Sequence, residues 1–86
     1  MLFESRRSES DIINTILQVT REGINKTQLE YKAKMSNTQL SRYLNKLMEE
    51  EIIEQKNNNG NTLYFLTDKG EILAKSLQQV IKILVE

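Results

Sequence analysis

Polar side chains that can donate or accept hydrogen bonds are concentrated between positions 36 and 46 of this chain. They belong to Ser36, Asn37, Thr38, Gln39, Ser41, Arg42, Asn45 and Lys46. Asparagine and glutamine amides can donate and accept hydrogen bonds at once, and a guanidinium group offers a planar fork of donors. The hydroxyl and ammonium groups can bind phosphate or other acceptors. This set is suited to recognising flat polar groups and anions.

The composition excludes several kinds of chemistry. The 86 residues include no Cys and no His, so the chain cannot form a disulfide, a thiolate nucleophile, an imidazole base or a conventional zinc site. No motif places a nucleophile beside a base, and one small domain has little room for an enclosed pocket. We therefore expect no enzymatic activity, no metal, no cofactor and no small-molecule ligand.

Length and hydropathy indicate one small soluble domain, because 38% of the residues are hydrophobic and 28% are charged. No apolar run approaches the roughly 18 residues of a membrane span. The first residues, MLFE, lack the order of a signal peptide. We expect a cytoplasmic protein without membrane contact. A chain this short buries a thin core that a partner subunit would help to complete.

Charge is unevenly distributed although the net charge is zero. Positions 1–48 carry eight basic and five acidic residues, whereas 49–86 carry four basic and seven acidic residues. Within positions 24–48, five basic residues accompany only Glu30. We expect an anionic partner to bind there.

Three helices are predicted before a hairpin. The first helix follows a cap at Ser8 and stops at Gly23. The second is capped by Asn25 and runs from 26 to about 33, with Leu29 and Ala33 facing inward. The third is capped by Ser36 and covers 36–50. Its apolar stripe consists of Leu40, Tyr43, Leu44, Leu47 and Met48. At 100° per residue, most of the polar set at 36–46 lies on or beside the opposite face.

Two short β-prone runs follow, at 52 to about 57 and at 62–67, separated by Asn58, Asn59, Gly60 and Asn61, which predicts a hairpin. A last helix begins at Thr67 or Asp68. Its apolar residues at spacings of 4, 3 and 4 form a heptad seam, Leu73, Leu77, Val80 and Leu84. We expect the aromatic residues Tyr31, Tyr43, Tyr64 and Phe65 to lie in the core.

This order of elements predicts a mainly α fold with a small β-hairpin, a winged helix-turn-helix comprising three helices, a two-stranded wing and a C-terminal helix. In that architecture the third helix enters the DNA major groove, and the wing can reach a phosphate or the minor groove. Residues 1–67 would form the DNA-binding part, and 68–86 a dimerisation helix of the same compact unit. The candidate DNA contacts are Lys26, Thr27, Lys32, Lys34, Ser36, Asn37, Thr38, Gln39, Ser41, Arg42, Asn45, Lys46, Lys56, Asn58 and Asn59.

Five stretches in this order carry a family resemblance: RRSESDII at 6–13, NKTQL at 25–29, YKAKMS at 31–36, LSRYL at 40–44 and YFLTDKG at 64–70. With them, the chain resembles the archaeal ten-kilodalton winged-helix DNA-binding proteins. The resemblance implies a homodimer, joined through the C-terminal helix, that binds double-stranded DNA in transcription regulation or chromosome organisation. The neutral net charge favours site-directed regulation over chromosome coating.

The apolar side chains of the last helix can pack on their own domain or on a second copy of the chain. We expect Ile72, Leu73 and Leu77 to pack on their own domain, and the residues near the end of the helix to pair with a second copy. The candidate dimer interface is Leu73, Leu77, Val80, Ile81 and Leu84.

Two other functions stay open. A winged helix can serve as a protein-interaction module, although an apolar or acidic third helix would be expected for that role. A structural dimerisation unit with vestigial DNA contacts is also compatible with the neutral charge.

Overall fold

The computed structural model describes residues 8–85, without the side chains of Ile81 and Val85. Its elements are α1 (Glu9–Val19), α2 (Lys26–Ala33), α3 (Asn37–Glu49), β1 (Ile53–Asn58), β2 (Asn61–Leu66) and α4 (Asp68–Val85). Four helices and one antiparallel hairpin form the fold that the sequence predicts, so the fold class is confirmed. None of the helices within the described range combines the length and the apolar character needed to cross a membrane.

Side-chain caps explain where the helices begin. Ser8, Asn25 and Ser36 have extended backbones, and the side chain of each accepts a hydrogen bond from the backbone N–H three residues later. The Oγ1 atom of Thr67 accepts the N–H of Gly70 in the same way, at 2.9 Å. Each cap satisfies one of the N–H groups that a helix start leaves without a partner. The predicted starts of all four helices are confirmed.

One hydrophobic core joins the four helices to the hairpin. Its buried residues are Ile16, Leu17, Ile24, Leu29, Ala33, Met35, Leu40, Leu44, Leu47, Ile52, Ile53, Tyr64 and Ala74. The predicted α3 stripe is therefore confirmed at its centre, and Tyr43 and Met48 are partly buried at its edges. Because the stripe is buried, the opposite face of α3 is turned to solvent.

Tyr31 does not lie in the core, so that prediction is wrong. Its side chain is 83% exposed on the outer side of α2. The inward row of this helix consists of Leu29 and Ala33, which are four residues apart and fully buried. Tyr31 stands two residues from each, about 200° around the helix, so the periodicity that buries those two residues turns the tyrosine outward.

The hairpin has a shorter turn than predicted. Its strands pair from Ile53 with Leu66 to Asn58 with Asn61, which leaves only Asn59 and Gly60 between them. Both turn residues have positive φ, +54° and +83°, as a two-residue type I′ turn requires. The predicted four-residue connection is therefore wrong, because Asn58 and Asn61 pair with each other and belong to the strands. The predicted strand bounds differ from the observed ones by one residue.

A third extended segment was not predicted. Ile24 pairs with Tyr64 through two backbone hydrogen bonds of 3.1 and 2.8 Å. The preceding Gly23 has φ of +89°, and a Cβ atom there would lie 2.4 Å from the ring of Phe65. This close approach lets the Phe65 ring cover the turn after α1, which itself ends at Val19 rather than at the glycine.

The last helix turns small residues inward. Gly70 approaches the Ile52 carbonyl, Ala74 is fully buried, and Leu77 packs partly against the core. Ile72 and Leu73 are exposed instead of packed on their own domain as predicted. They lie outside the row at positions 70, 74 and 77 that faces the core, and the close approach at Gly70 and Ala74 leaves no room there for larger side chains.

We predict that Gly70→Ala destabilises the protein. Alanine normally stabilises a helix relative to glycine by about 1 kcal/mol. At this position the added Cβ would lie 2.2 Å from the Ile52 carbonyl oxygen, and the resulting backbone shift should cost about 1–3 kcal/mol. Chemical denaturation measures the change, with Ser76→Ala on the exposed side of α4 as the control. A stabilised Gly70→Ala variant would contradict the close contact.

Candidate nucleic-acid interface

The outward face of α3 carries polar groups that have no partner within the protein. Thr38, Arg42 and Asn45 follow one another at spacings of four and three residues, opposite the buried stripe, and all three are exposed. Within residues 8–85, their side chains make no hydrogen bond or ion pair, and neither does that of Gln39 beside them. An amide, a guanidinium group and a hydroxyl group are therefore available along one row.

The neighbouring side of α3 is bonded to α2. Asn37 Nδ2 donates to Glu30 Oε2 at 2.8 Å, and Lys26 Nζ lies 3.5 Å from Asn37 Oδ1. The same ammonium group donates to the Ser41 hydroxyl. Three of the predicted contact residues, Lys26, Asn37 and Ser41, are thus brought together directly. Ser36, a fourth, is the cap of α3 and accepts the Gln39 N–H at 3.2 Å.

The outer side of α2 adds hydroxyl groups and cations. Thr27, Tyr31 and Lys32 are exposed there. Lys34 ends the helix in the left-handed conformation, with φ of 56°, and its backbone N–H donates to the Glu30 carbonyl. Tyr31 is a candidate that sequence reasoning missed. Its position two residues from Leu29 and Ala33 was the signal that could have found it.

The cations of α3 lie towards α1. Arg42 and Lys46 border an open cleft that Glu9 and Ile13 line from the first turns of α1. Lys46 also forms an ion pair of 3.6 Å with Glu50, the residue that caps the end of α3. An exposed pair of this kind contributes little to stability, so the lysine can exchange its partner for another anion at small cost.

The wing holds its single cation against its own surface. Lys56 Nζ lies 5.1 Å from the centre of the Phe65 ring and 4.0 Å from a carboxylate oxygen of Glu54. Asn58 and Asn59 are exposed at the tip. Among the contacts described for residues 8–85, none joins these wing residues to the polar row of α3. The structure therefore presents them as a separate part of the candidate interface.

Residues 8–85 contain no group of three or more acidic side chains placed to hold a metal ion. The candidate site consists instead of hydrogen-bonding and cationic groups on α2, α3 and the wing.

The predicted dimer residues lie along one side of α4 in different degrees of exposure. The exposed fractions are 37% for Leu73, 50% for Val80 and 79% for Leu84. Leu77 is partly buried by its own core, and the side chain of Ile81 lies outside the described part of the structure. Ile72 and Ile83, at 69% and 75%, widen the exposed apolar face.

Comparison with known proteins agrees with this architecture. The chain is similar to Sso10a-2, a DNA-binding protein from Sulfolobus solfataricus, with 26% identity and a TM-score of 0.82 over 90% of this chain and 81% of that chain. F93 from STIV, a winged-helix DNA-binding protein, shares 20% identity at a TM-score of 0.76, and F-93 from SSV1 shares 22% at 0.71. Both alignments cover 95% of this chain and 96% of the other.

No curated protein matches the sequence. The winged helix-turn-helix family, however, matches residues 6–84. This match and the similarity to Sso10a-2 confirm the resemblance that the sequence stretches indicated. The chain belongs to the winged helix-turn-helix family.

Proposed function

We propose that this protein binds specific sites on double-stranded DNA as a homodimeric transcriptional regulator, with α3 in the major groove. The observation that carries the proposal is the unpartnered row of Thr38, Arg42 and Asn45 on the outward face of α3. An asparagine amide can pair with adenine and a guanidinium group with guanine, each through two hydrogen bonds. These are the groups that a helix needs in order to read base edges.

The distribution of charge supports DNA rather than protein as the partner. The five basic residues at 24–48 share that region with one acidic residue, whereas 49–86 has an excess of three negative charges. Phosphates would therefore be attracted more strongly to α2 and α3 than to positions 49–86. Thr27 and Lys32 are suited to phosphate contacts that orient α3, and such contacts carry no sequence information. The similarity to Sso10a-2 supports the same partner.

The exposed apolar face of α4 supports pairing of two copies. Leu73, Val80 and Leu84 continue at heptad spacing along a helix of 18 residues. Each large aliphatic side chain left in water forfeits roughly 1.5–3 kcal/mol, so several together favour burial against a second α4. A dimer would also present two α3 helices to successive turns of the same DNA groove.

Fluorescence anisotropy with a pool of duplex DNA, at several salt concentrations, tests the proposal. We expect binding that weakens with salt, because each phosphate contact releases a counterion. Selection from the pool should then enrich one sequence. Binding without enrichment would favour chromosome organisation, and no binding at low salt would favour a protein-interaction module.

We predict that Arg42→Ala weakens binding to the selected sequence by about 1–3 kcal/mol, the range for loss of a bidentate base contact. The measurement is anisotropy with the selected duplex. Lys75→Ala is the matched control, since Lys75 is an exposed cation on the polar side of α4. Unchanged affinity of Arg42→Ala would remove this residue from the interface.

We predict that Leu84→Asp produces a monomer, because pairing would bury a carboxylate without a partner. Leu84 is a better probe than Leu77, whose partial burial in its own core would also affect folding. Sedimentation velocity measures the change, and Gln78→Asp places the same charge on the polar side of α4 as a control. If Leu84→Asp still sediments as a dimer, the subunits meet elsewhere.

A further inference from the structure

The contact between α2 and α3 includes a carboxylate in an otherwise cationic region. Glu30 is half-buried, and its Oε2 atom accepts a hydrogen bond of 2.8 Å from Nδ2 of Asn37, the first residue of α3. Lys26, one turn earlier on α2, approaches the oxygen of the same amide at 3.5 Å and donates to the Ser41 hydroxyl. The Asn37 amide therefore lies between a cation and an anion of α2.

Both ends of the Asn37 amide are thus engaged in the free protein. A bidentate contact with adenine requires the NH₂ group as donor and the oxygen as acceptor at the same time. The bonds to Glu30 and Lys26 fix the orientation of the amide, so turning it towards a base edge would weaken the bond to Glu30 and leave that carboxylate facing DNA phosphates. A hydrogen bond to a charged group contributes more than one between neutral groups, and repulsion by the phosphates would add to its loss. The adjacent row on α3 carries no such cost, because its side chains have no partner to lose.

We propose that Glu30, acting through Asn37, is a specificity-determining positioning residue. It holds the first turn of α3 at a fixed angle to α2, so that Thr38, Arg42 and Asn45 read bases while Asn37 does not. This inference rests on the proposed DNA-binding function. A reading helix that is held rigidly cannot tilt to accommodate a wrong sequence, so the contrast between correct and incorrect sites increases.

The charge of Glu30 and its hydrogen bond have different consequences. A negative charge near the phosphates lowers affinity for every DNA sequence to a similar extent, because backbone charge does not depend on sequence. The hydrogen bond to Asn37 instead affects the difference between sequences, since it controls the position of the reading helix. Replacing Glu30 by glutamine removes the charge but keeps an oxygen that can accept from Asn37. Replacing it by alanine removes both.

The test measures a specificity ratio, the Kd for a random pool divided by the Kd for the selected duplex, at one salt concentration. For Glu30→Gln, we expect tighter binding to both DNAs and an unchanged ratio. For Glu30→Ala, we expect the ratio to fall about tenfold. Asn37→Ala should lower the ratio by the same factor, and the double variant should lower it no further, because both changes remove one connection. Glu22→Gln, at an exposed acid in the α1–α2 turn, is the charge control.

Two results would overturn the inference. Equal ratios for Glu30→Gln and Glu30→Ala would mean that only the charge matters. A loss of preference at a single base position in sites selected by Asn37→Ala would mean that Asn37 reads that base. Thermal unfolding establishes that each variant is folded at the assay temperature. If Glu30→Ala is unfolded at that temperature, the Asn37→Ala variant is used for the test instead.

The contact can also be measured without DNA. The side-chain amide NMR signal of Asn37 should move strongly in Glu30→Ala and little in Glu30→Gln, and the opposite order would contradict the contact. If the wild-type protein binds no DNA, the proposed function and this inference both fall. If it binds a selected site but Glu30→Ala leaves the ratio unchanged, only the inference falls.

Discussion

The peptide groups at Ile52 connect the end of α3, the start of the hairpin and the start of α4. The position of the outward face of α3 relative to the exposed apolar face of α4 depends on these groups. The Ile52 N–H donates to the Leu47 carbonyl near the end of α3, at 2.8 Å. Its carbonyl accepts the N–H of Thr67 at 3.0 Å, where α4 begins, and the Thr67 hydroxyl lies 2.6 Å from the Glu51 carbonyl oxygen and 3.0 Å from that of Ile52. Gly70 then brings the first turn of α4 against the same carbonyl. The face of α3 proposed to read DNA and the face of α4 proposed to pair are therefore held together by one short stretch of backbone.

This close approach accounts for the unusual division of side chains on α4. A helix that packs against backbone needs glycine and alanine on its inner row, as at Gly70 and Ala74, so its large aliphatic residues must lie elsewhere. They occupy the adjacent side, where Ile72, Val80 and Leu84 meet solvent. The small domain thus gains a firmly attached helix but leaves apolar surface uncovered. In a chain with a thin core, covering that surface with a second copy would add the stability that a single copy cannot supply.

Local signals predicted most of the fold, and contacts between distant elements account for the differences. The caps and inward rows of the helices are local features, and α2 was predicted within its observed bounds. Tyr31 was misplaced because its aromatic character was given more weight than its helical position. The pairing of Ile24 with Tyr64 joins residues forty apart and left no local pattern. Similarly, helical periodicity identified the outward face of α3, but the bond between Glu30 and Asn37 depends on the angle between two helices.

Several cations make contacts within the protein. These contacts affect how much of the affinity for DNA would come from charge and how much from hydrogen bonding. Lys26 is bonded to α3, Lys46 to Glu50, and Lys56 lies over an aromatic ring. Each can turn to a phosphate only by giving up its present contact, which slightly reduces its net electrostatic gain. In a chain of zero net charge, non-specific attraction is then weaker than in a strongly basic protein. The proposed function therefore assigns a larger share of the affinity to the unpartnered row that includes Arg42, where binding would depend on base sequence.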